Sequence, residues 1–183
     1  SLGNPAGSVN PIIQIHRLRG VSAVNNVMSQ GYVEFKDNTE MNASNIYAWA
    51  ANAAAASGYI SVQGTHNYCN FTNLFAENYI DLTDTCDQCN FVNLNSYNNA
   101  ALSSDGRIYI CTANGDDFDQ CTFVNISSED ELRICYDQTG GGTVNMNNCM
   151  FQNVICTGDD EPVYIGYTTN NAGDINMYYN TFD

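Results

Sequence analysis

The chain is poor in basic residues. Five Lys and Arg stand against 20 Asp and Glu in 183 residues, so the formal net charge at pH 7 is −15. Residues 1–36 hold three basic residues and one acidic residue, a net charge of +2, whereas residues 37–183 hold two basic and 19 acidic residues, a net charge of −17. Proteins that bind nucleic acid neutralise phosphates with Lys and Arg, so this composition excludes nucleic acid as a partner.

Long apolar runs are also absent. No run approaches the roughly 20 apolar residues that a membrane-spanning helix needs, so we expect no membrane insertion. The first residue is not Met, which is consistent with a removed signal peptide or a trimmed terminus. Together with the acidic, Lys-poor composition, this predicts a secreted or cell-surface, extracellular protein.

Long amphipathic helical patterns are missing as well, which argues against βαβ units. The chain instead repeats the phrase C-x-F-x-N followed by an aliphatic residue. Copies begin at Cys69, Cys89, Cys121 and Cys149, and a fifth begins at Asn180 with Asn in the Cys position. Repeats of this length are typical of stacked supersecondary units that bury their apolar faces on one another.

Cys, Phe and Asn lie at positions i, i+2 and i+4 of the phrase, which predicts that they share one face of an extended strand. Asn tolerates turn geometry, and its amide can bond equivalent amides in neighbouring units. We therefore predict three structural ladders: Cys69, Cys89, Cys121 and Cys149; Phe71, Phe91, Phe123, Phe151 and Phe182; Asn73, Asn93, Asn125 and Asn153.

A second phrase alternates with the first. It is short and rich in aromatic and β-branched residues, which is typical of strands. Its copies align on a central isoleucine: Ile60, Ile80, Ile110, Ile134 and Ile165. The predicted fold is all-β, a single-stranded parallel β-helix (solenoid) of about five to six laps.

On these two phrases, residues 58–183 resemble the right-handed parallel β-helix superfamily, which includes pectate-lyase-like folds and the Phe/Asn-repeat surface proteins of bacteria and protists. The resemblance rests on a repeat pattern, so it implies a fold rather than an activity.

The first 57 residues are less regular. Residues 1–10 predict an extended N-terminal arm. Residues 44–57 predict one short helix, with Ser44 or Asn45 as N-cap and Gly58 just past its end, which would cover the open end of the solenoid. We therefore divide one continuous domain into residues 1–57, with arm, first lap and capping helix, and residues 58–183, with the repeats.

Eight cysteines bear on the redox setting. Equivalent positions on adjacent laps fall within the Cα separation that a disulfide accepts, so Cys111–Cys135 and Cys121–Cys149 are predicted bridges, with Cys69–Cys89 next. Two alternatives stay open: a stack of free buried thiols, and a metal site at Cys86-x-x-Cys89.

Three N-x-[ST] sequons occur, about as many as chance predicts in so Asn-rich a chain. Asn70 is the preferred glycosylation candidate because it is expected to point outward, and Asn42 is the second. Asn125 is a ladder residue and is expected to be unavailable.

Pectin-cleaving relatives of the fold imply clustered carboxylates with nearby basic residues. Acids cluster at residues 116–119, 129–131 and 159–161, but His66 is the only histidine in the repeat region, so no enzyme is expected and no catalytic residue is assigned. No cofactor is expected except possible calcium on an acidic edge formed by Asp105, Asp130 and Asp160.

The sequence stops at Asp183, within the fifth phrase, so we expect that either the sequence is truncated here or the next subunit caps the last lap. The first expectation is therefore an extracellular structural protein that self-assembles head to tail into a filament, sheath or surface layer. The alternative is a carbohydrate-binding, adhesin-type β-helix fragment that uses Tyr109, Tyr164 and Tyr167 as sugar platforms. A polysaccharide lyase or hydrolase is the third reading.

Overall fold

The described part of the chain consists of β-strands in three parallel sheets. A computed structural model describes residues 12–50, 58–98, 106–137, 142–157, 163–168 and 174–183. Within these ranges there are 19 strands and no helix, and all pairings between strands are parallel.

Sheets A and B have seven strands each. In spatial order, sheet A consists of β1 (Ile12–His16), β3 (Tyr32–Lys36), β5 (Tyr59–Gln63), β8 (Tyr79–Leu82), β11 (Arg107–Ile110), β14 (Leu132–Asp137) and β17 (Val163–Thr168). Sheet B consists of β2 (Ser22–Ser29), β4 (Met41–Ala48), β7 (Asn70–Ala76), β10 (Asn90–Ser96), β13 (Thr122–Ser128), β16 (Met150–Cys156) and β19 (Thr181–Phe182).

Sheet C is smaller. Its five strands are β6 (Thr65–Asn67), β9 (Thr85–Asp87), β12 (Asp117–Asp119), β15 (Thr143–Asn147) and β18 (Asp174–Tyr178). From β5 onward the chain visits sheets A, C and B in turn, and each circuit lies against the one before. This architecture is consistent with a parallel β-solenoid, so the predicted all-β, parallel class is confirmed. The predicted count of five to six laps is not confirmed, since sheets A and B have seven strands each.

The predicted capping helix is wrong where the structure describes it. Residues 44–48 belong to β4, which pairs with β2 and β7. Ala43, Ile46 and Ala48 fill buried positions of sheet B, so tertiary pairing overrides the helix preference of an alanine-rich segment. Residues 51–57 and the predicted arm at residues 1–10 lie outside the described residues.

Phenylalanine rings fill the core behind sheet B. Phe71, Phe91, Phe123 and Phe151 are fully buried, and adjacent ring centroids lie 5.1, 5.0 and 4.5 Å apart with the ring planes within 5° of parallel. Phe182 extends the stack at 4.8 Å. Because the strands pair in register, each ring lies on the equivalent ring of the preceding lap.

The asparagine of the repeat adopts a left-handed backbone conformation. Six asparagines of sheet B have φ between 53° and 58°: Asn26, Asn45, Asn73, Asn93, Asn125 and Asn153. From Asn45 onward, the Nδ2 of each donates a hydrogen bond to Oδ1 of the one before, at 2.8 to 3.1 Å. Asn is the residue other than Gly that most readily takes this conformation, and its amide can both donate and accept. Asn therefore suits this position for two reasons: it tolerates the left-handed backbone, and its side-chain amide bonds the equivalent amide in the neighbouring lap.

This ladder differs from the prediction in two ways. Asn73 does not share the buried face with Cys69 and Phe71, because its left-handed backbone reverses the alternation and places Leu74 and Ala76 in the core instead. The ladder also includes Asn26 and Asn45, which the repeat search missed. Their signal was an Asn followed by an aliphatic residue without the preceding Phe.

The cysteine column makes hydrogen bonds to the neighbouring lap. Each thiol donates to a backbone carbonyl: Cys69 to Asn38 at 3.3 Å, Cys89 to His66 at 3.5 Å, Cys121 to Cys86 at 3.3 Å and Cys149 to Phe118 at 3.6 Å. In the fifth copy, Asn180 Nδ2 donates to the Met146 carbonyl at 2.8 Å. Cys and Asn therefore exchange in the repeat because both supply a donor at this position.

The second phrase forms sheet A, but the central isoleucines do not all share one column. Ile60 pairs with Ile80, which pairs with Ile108 rather than Ile110. Ile110, Ile134 and Ile165 form the next column along the strands. A shift of two residues keeps a side chain on the same face, so hydrophobicity alone did not distinguish the two registers.

We expect Asn93→Ala to lower the free energy of unfolding by about 2 kcal/mol, because alanine in a left-handed conformation costs about 1–2 kcal/mol and the amide bonds are lost. Asn93→Gly removes the amide without backbone strain and should cost less. Asn95→Ala, outside the ladder on the same strand, is the control. Urea unfolding measures all three variants, and equal effects for Asn93→Ala and Asn95→Ala would contradict a structural role for the ladder.

Candidate functional site

None of the three predicted disulfides is present. All eight cysteines are free, and all except Cys156 are buried. In-register parallel strands hold equivalent side chains about 4.8 Å apart with parallel Cα–Cβ bonds, whereas a disulfide brings its Cβ atoms to about 3.8 Å. Proximity in the stack was therefore not enough to predict Cys69–Cys89, Cys121–Cys149 or Cys111–Cys135. Burial raises the pKa values of Cys86 and Cys111, which keeps these thiols protonated.

Three of the carboxylates in or next to the strands of sheet A are Glu34 in β3, Glu131 just before β14 and Asp81 in β8. The first, Glu34, is 6% exposed and accepts hydrogen bonds from Gln14 and Gln63, while His16 Nε2 lies 3.1 Å from its Oε1. Burial acts to raise the pKa of Glu34, but these hydrogen bonds and the His16 charge outweigh it and hold the pKa below its usual value.

The second carboxylate, Glu131, is fully buried among cations and tyrosines. Its Oε1 accepts from Arg133 Nε at 2.6 Å, and its Oε2 accepts from the Tyr109 hydroxyl at 3.0 Å. Arg107 Nε lies 3.7 Å from the same carboxylate. The Arg133 guanidinium lies over three rings, with centroids at 4.9 Å for Tyr109, 4.5 Å for Tyr136 and 5.8 Å for Tyr164. The site is a guanidinium held by one carboxylate and a tyrosine cluster.

The third carboxylate, Asp81, has tyrosines around it but no cation. Its Oδ2 accepts from the Tyr59 hydroxyl at 3.2 Å, and its Oδ1 is buried without a hydrogen-bond partner. Within the described residues no Lys, Arg or His forms an ion pair with it. Burial raises the pKa of Asp81 to about 6, against the lowering effect of the Tyr59 bond. The sequence analysis missed Asp81. The available signal was an acidic residue two positions after Tyr79, on the same outward face of a short strand.

The Asp116 carboxylate holds the turn between β11 and β12. It is fully buried, and its carboxylate accepts from the backbone N–H groups of Asp84 at 2.7 Å and Ala113 at 2.8 Å. Burial outweighs these bonds and raises the pKa of Asp116 to about 7. Asp81 and Asp116 both bind a proton more tightly in the folded chain than in the unfolded chain, so their ionisation as pH rises above about 4 towards 7 lowers stability.

The acidic edge predicted for calcium is only partly described. Asp105 and Asp160 lie outside the described residues, and Asp130 bonds Arg107 Nε at 3.0 Å. Across the described ranges, no group of three or more His, Cys, Asp and Glu is arranged so that it could hold a metal ion. Cys86 and Cys89 therefore belong to no such group. Calcium at the edge stays a prediction.

The predicted acidic clusters separate in space. Asp117 and Asp119 point outward from sheet C while Asp116 is buried, and Glu129 accepts from the Asn98 backbone N–H at 3.0 Å. Residues 159–161 lie outside the described residues.

The predicted sugar platforms differ in access. Tyr109 and Tyr164 pack against Arg133, whereas Tyr167 is 49% exposed. A separate groove of 440 Å³ lies on sheet C, lined by the exposed Tyr178 and Tyr179 and by Asp117, Asp119, Asn147 and Asn148.

The two glycosylation candidates lie on neighbouring strands of sheet B. Asn42 is exposed, and its Oδ1 accepts from Asn70 Nδ2 at 2.8 Å. Asn70 is half-buried and also accepts from Asn90. Glycosylation of either residue stays a prediction.

Comparison of the chain with protein-family models, curated proteins and solved structures gives no match. The structure shows a parallel, all-β architecture, and membership of the right-handed parallel β-helix superfamily stays a prediction. Among the described residues, no helix is long and apolar enough to cross a bilayer.

We expect the seven buried thiols to resist a water-soluble disulfide reagent in the native protein, with Cys156 as the one that reacts. After denaturation without reductant, all eight should be alkylated by iodoacetamide, because no disulfide holds any of them. Mass spectrometry counts the modified residues, and fewer than eight alkylations in denaturant would restore the disulfide prediction.

Proposed function

We propose that the chain is an extracellular structural protein whose copies assemble head to tail into a filament, sheath or surface layer. The observation that carries the proposal is the exposure of core-type side chains at the β17–β19 edge of the sheets. Val163, Ile165 and Phe182 are 45–46% exposed, although their equivalents in the preceding laps are buried. Within the described residues no further strand pairs with this edge.

An edge of this kind favours strand addition. Unpaired strand edges and an apolar cross-section are costly in water, and proteins cover them or pair them. Extension by another parallel lap satisfies the backbone groups and the apolar side chains together.

A second copy of the chain offers a matching face. At the opposite edge, the half-buried Ile13, Ile15 and Val24 pack on the core, and no other described strand pairs with the outer side of β1 or β2. If β1 of a second copy continues sheet A beside β17, the register columns place Ile13 on Val163 and Ile15 on Ile165. In sheet B the same placement brings Val24 onto Phe182.

Charge favours the same contact. Arg17 and Arg19 are exposed beside the β1–β2 edge, and Asp174 and Asp183 are exposed at the β17–β19 edge. Opposite charges on the two faces favour head-to-tail association and disfavour contact between like ends. A contact between different faces that does not close on itself produces a filament.

Glycan binding is the second candidate function. It is favoured by the sheet C groove, where the rings of Tyr178 and Tyr179 are 59% and 88% exposed next to amide and carboxylate side chains. Aromatic faces beside hydrogen-bonding groups are typical of sugar sites. Dispersed monomers that bind glycans through this groove would favour this candidate over assembly.

We expect Ile165→Lys to abolish assembly, because it places a charge in the apolar face where a second copy would pack. Ile155→Lys is the matched control: Ile155 is 54% exposed, close to the 45% of Ile165, but lies on the outer face of sheet B. Sedimentation velocity over a range of concentrations measures the association. Loss of assembly in Ile165→Lys alone supports the proposal, and equal association of the two variants contradicts it.

A further inference from the structure

The two tyrosine-rich carboxylate sites of sheet A differ in one component. At Glu131, a carboxylate and the rings of Tyr109, Tyr136 and Tyr164 hold the guanidinium of Arg133. At Asp81, a carboxylate lies among the rings of neighbouring tyrosines, and no Lys, Arg or His of the described ranges forms an ion pair with it. Comparison of the two sites indicates that the component absent at Asp81 is a cationic group such as a guanidinium.

The rings around Asp81 form a continuous row. The Tyr59 and Tyr79 centroids are 4.0 Å apart, and the Tyr79 and Tyr109 centroids are 6.1 Å apart with the planes tilted by 46°. Asp81 pairs with Tyr109 across the strands and is shorter than its aromatic neighbours, so it leaves a depression in the face. A groove of 510 Å³ results, and its lining includes Tyr79, Asp81, Thr83, Arg107, Tyr109 and Thr112.

Arg107 lines this groove without neutralising Asp81. Its Nε lies 3.0 Å from Asp130 and 3.7 Å from Glu131, and its Nη1 donates to the Tyr109 hydroxyl at 3.4 Å. Asp130 and Glu131 compensate the charge of Arg107, and within the part of the chain that the structure describes Asp81 has no ion-pair partner.

We propose that the groove at Asp81 binds the guanidinium or ammonium group of an organic cation. The carboxylate supplies the charge-assisted hydrogen bond, and Tyr79 and Tyr109 supply aromatic surface next to it, as in the Arg133 site. The hydroxyl groups of Thr83 and Thr112 at the rim can exchange hydrogen bonds with the rest of the ligand. The net charge of −15 also raises the local concentration of cations.

The test is an NMR titration of the full chain with n-butylguanidinium, followed through the tyrosine ring signals. The neutral n-butylurea, of nearly the same shape, is the ligand control. We expect Asp81→Asn to weaken binding about tenfold or more, because a charge-assisted bond becomes a neutral one. This variant keeps an oxygen that accepts from Tyr59 and removes a buried charge without a cationic partner, so it is expected to fold. Tyr79→Leu keeps the carboxylate and should weaken binding several-fold through loss of the ring.

Glu40→Gln is the matched protein control, since it changes the net charge equally but lies at an exposed position between β3 and β4, outside both grooves. It should bind n-butylguanidinium as the unmodified chain does. Equal binding of n-butylurea, unchanged binding in Asp81→Asn, or equal weakening in Glu40→Gln would overturn the proposal. A parallel titration with acetyl-Gly-Arg-Gly-amide separates the sources. Binding of the peptide supports an arginine side chain of a protein partner, and binding of the small ion alone supports a free organic cation.

Discussion

In-register stacking of parallel strands determines the rest of this structure. Each residue lies on its equivalent in the preceding lap at a strand spacing of about 4.8 Å. Each column of equivalent positions therefore needs a type of side chain that packs favourably at this spacing in consecutive laps. Phenylalanine rings meet this condition as a parallel stack at 4.5 to 5.1 Å. Asparagine meets it because its amide both donates and accepts, and left-handed backbone is tolerable for it. Cysteine meets it through a thiol that donates to the neighbouring carbonyl.

The same constraint explains what the sequence could reveal. Columns of like residues appear in the sequence as repeats, so the parallel, all-β class could be predicted from Phe71 and its equivalents. The conformation of Asn73 could not, because strand alternation assumes an extended backbone at each residue. Residues 44–48 of β4 were predicted as helix because the alanine-rich run that follows them favours helix locally, while the pairing of β4 with β2 and β7 depends on residues far along the chain. Disulfides were predicted from proximity alone, and stacked Cβ atoms are too far apart.

Site residues on the outer face were harder to predict than the core. Asp81 is one acid in a short strand, and its surroundings come from Tyr59 one lap before and Tyr109 one lap after. The contrast with Glu131 depends on Arg133, which belongs to yet another lap. Loop lengths between laps vary, so the sequence does not show directly which outward residues become neighbours. The proposed cation site and the exposed core positions of β17 and β19 both follow from the three-dimensional arrangement.

The central claim is that the apolar, strand-edged end of the stack is covered by the opposite end of another copy. Electron microscopy of the purified chain, combined with fibre diffraction, tests it most directly. The account predicts filaments with strands across the axis and a meridional reflection at about 4.8 Å. The axial repeat should be about 34 Å, because each subunit contributes seven strand spacings. Dispersed single particles at all concentrations, or filaments without the reflection at about 4.8 Å along the axis, would contradict it.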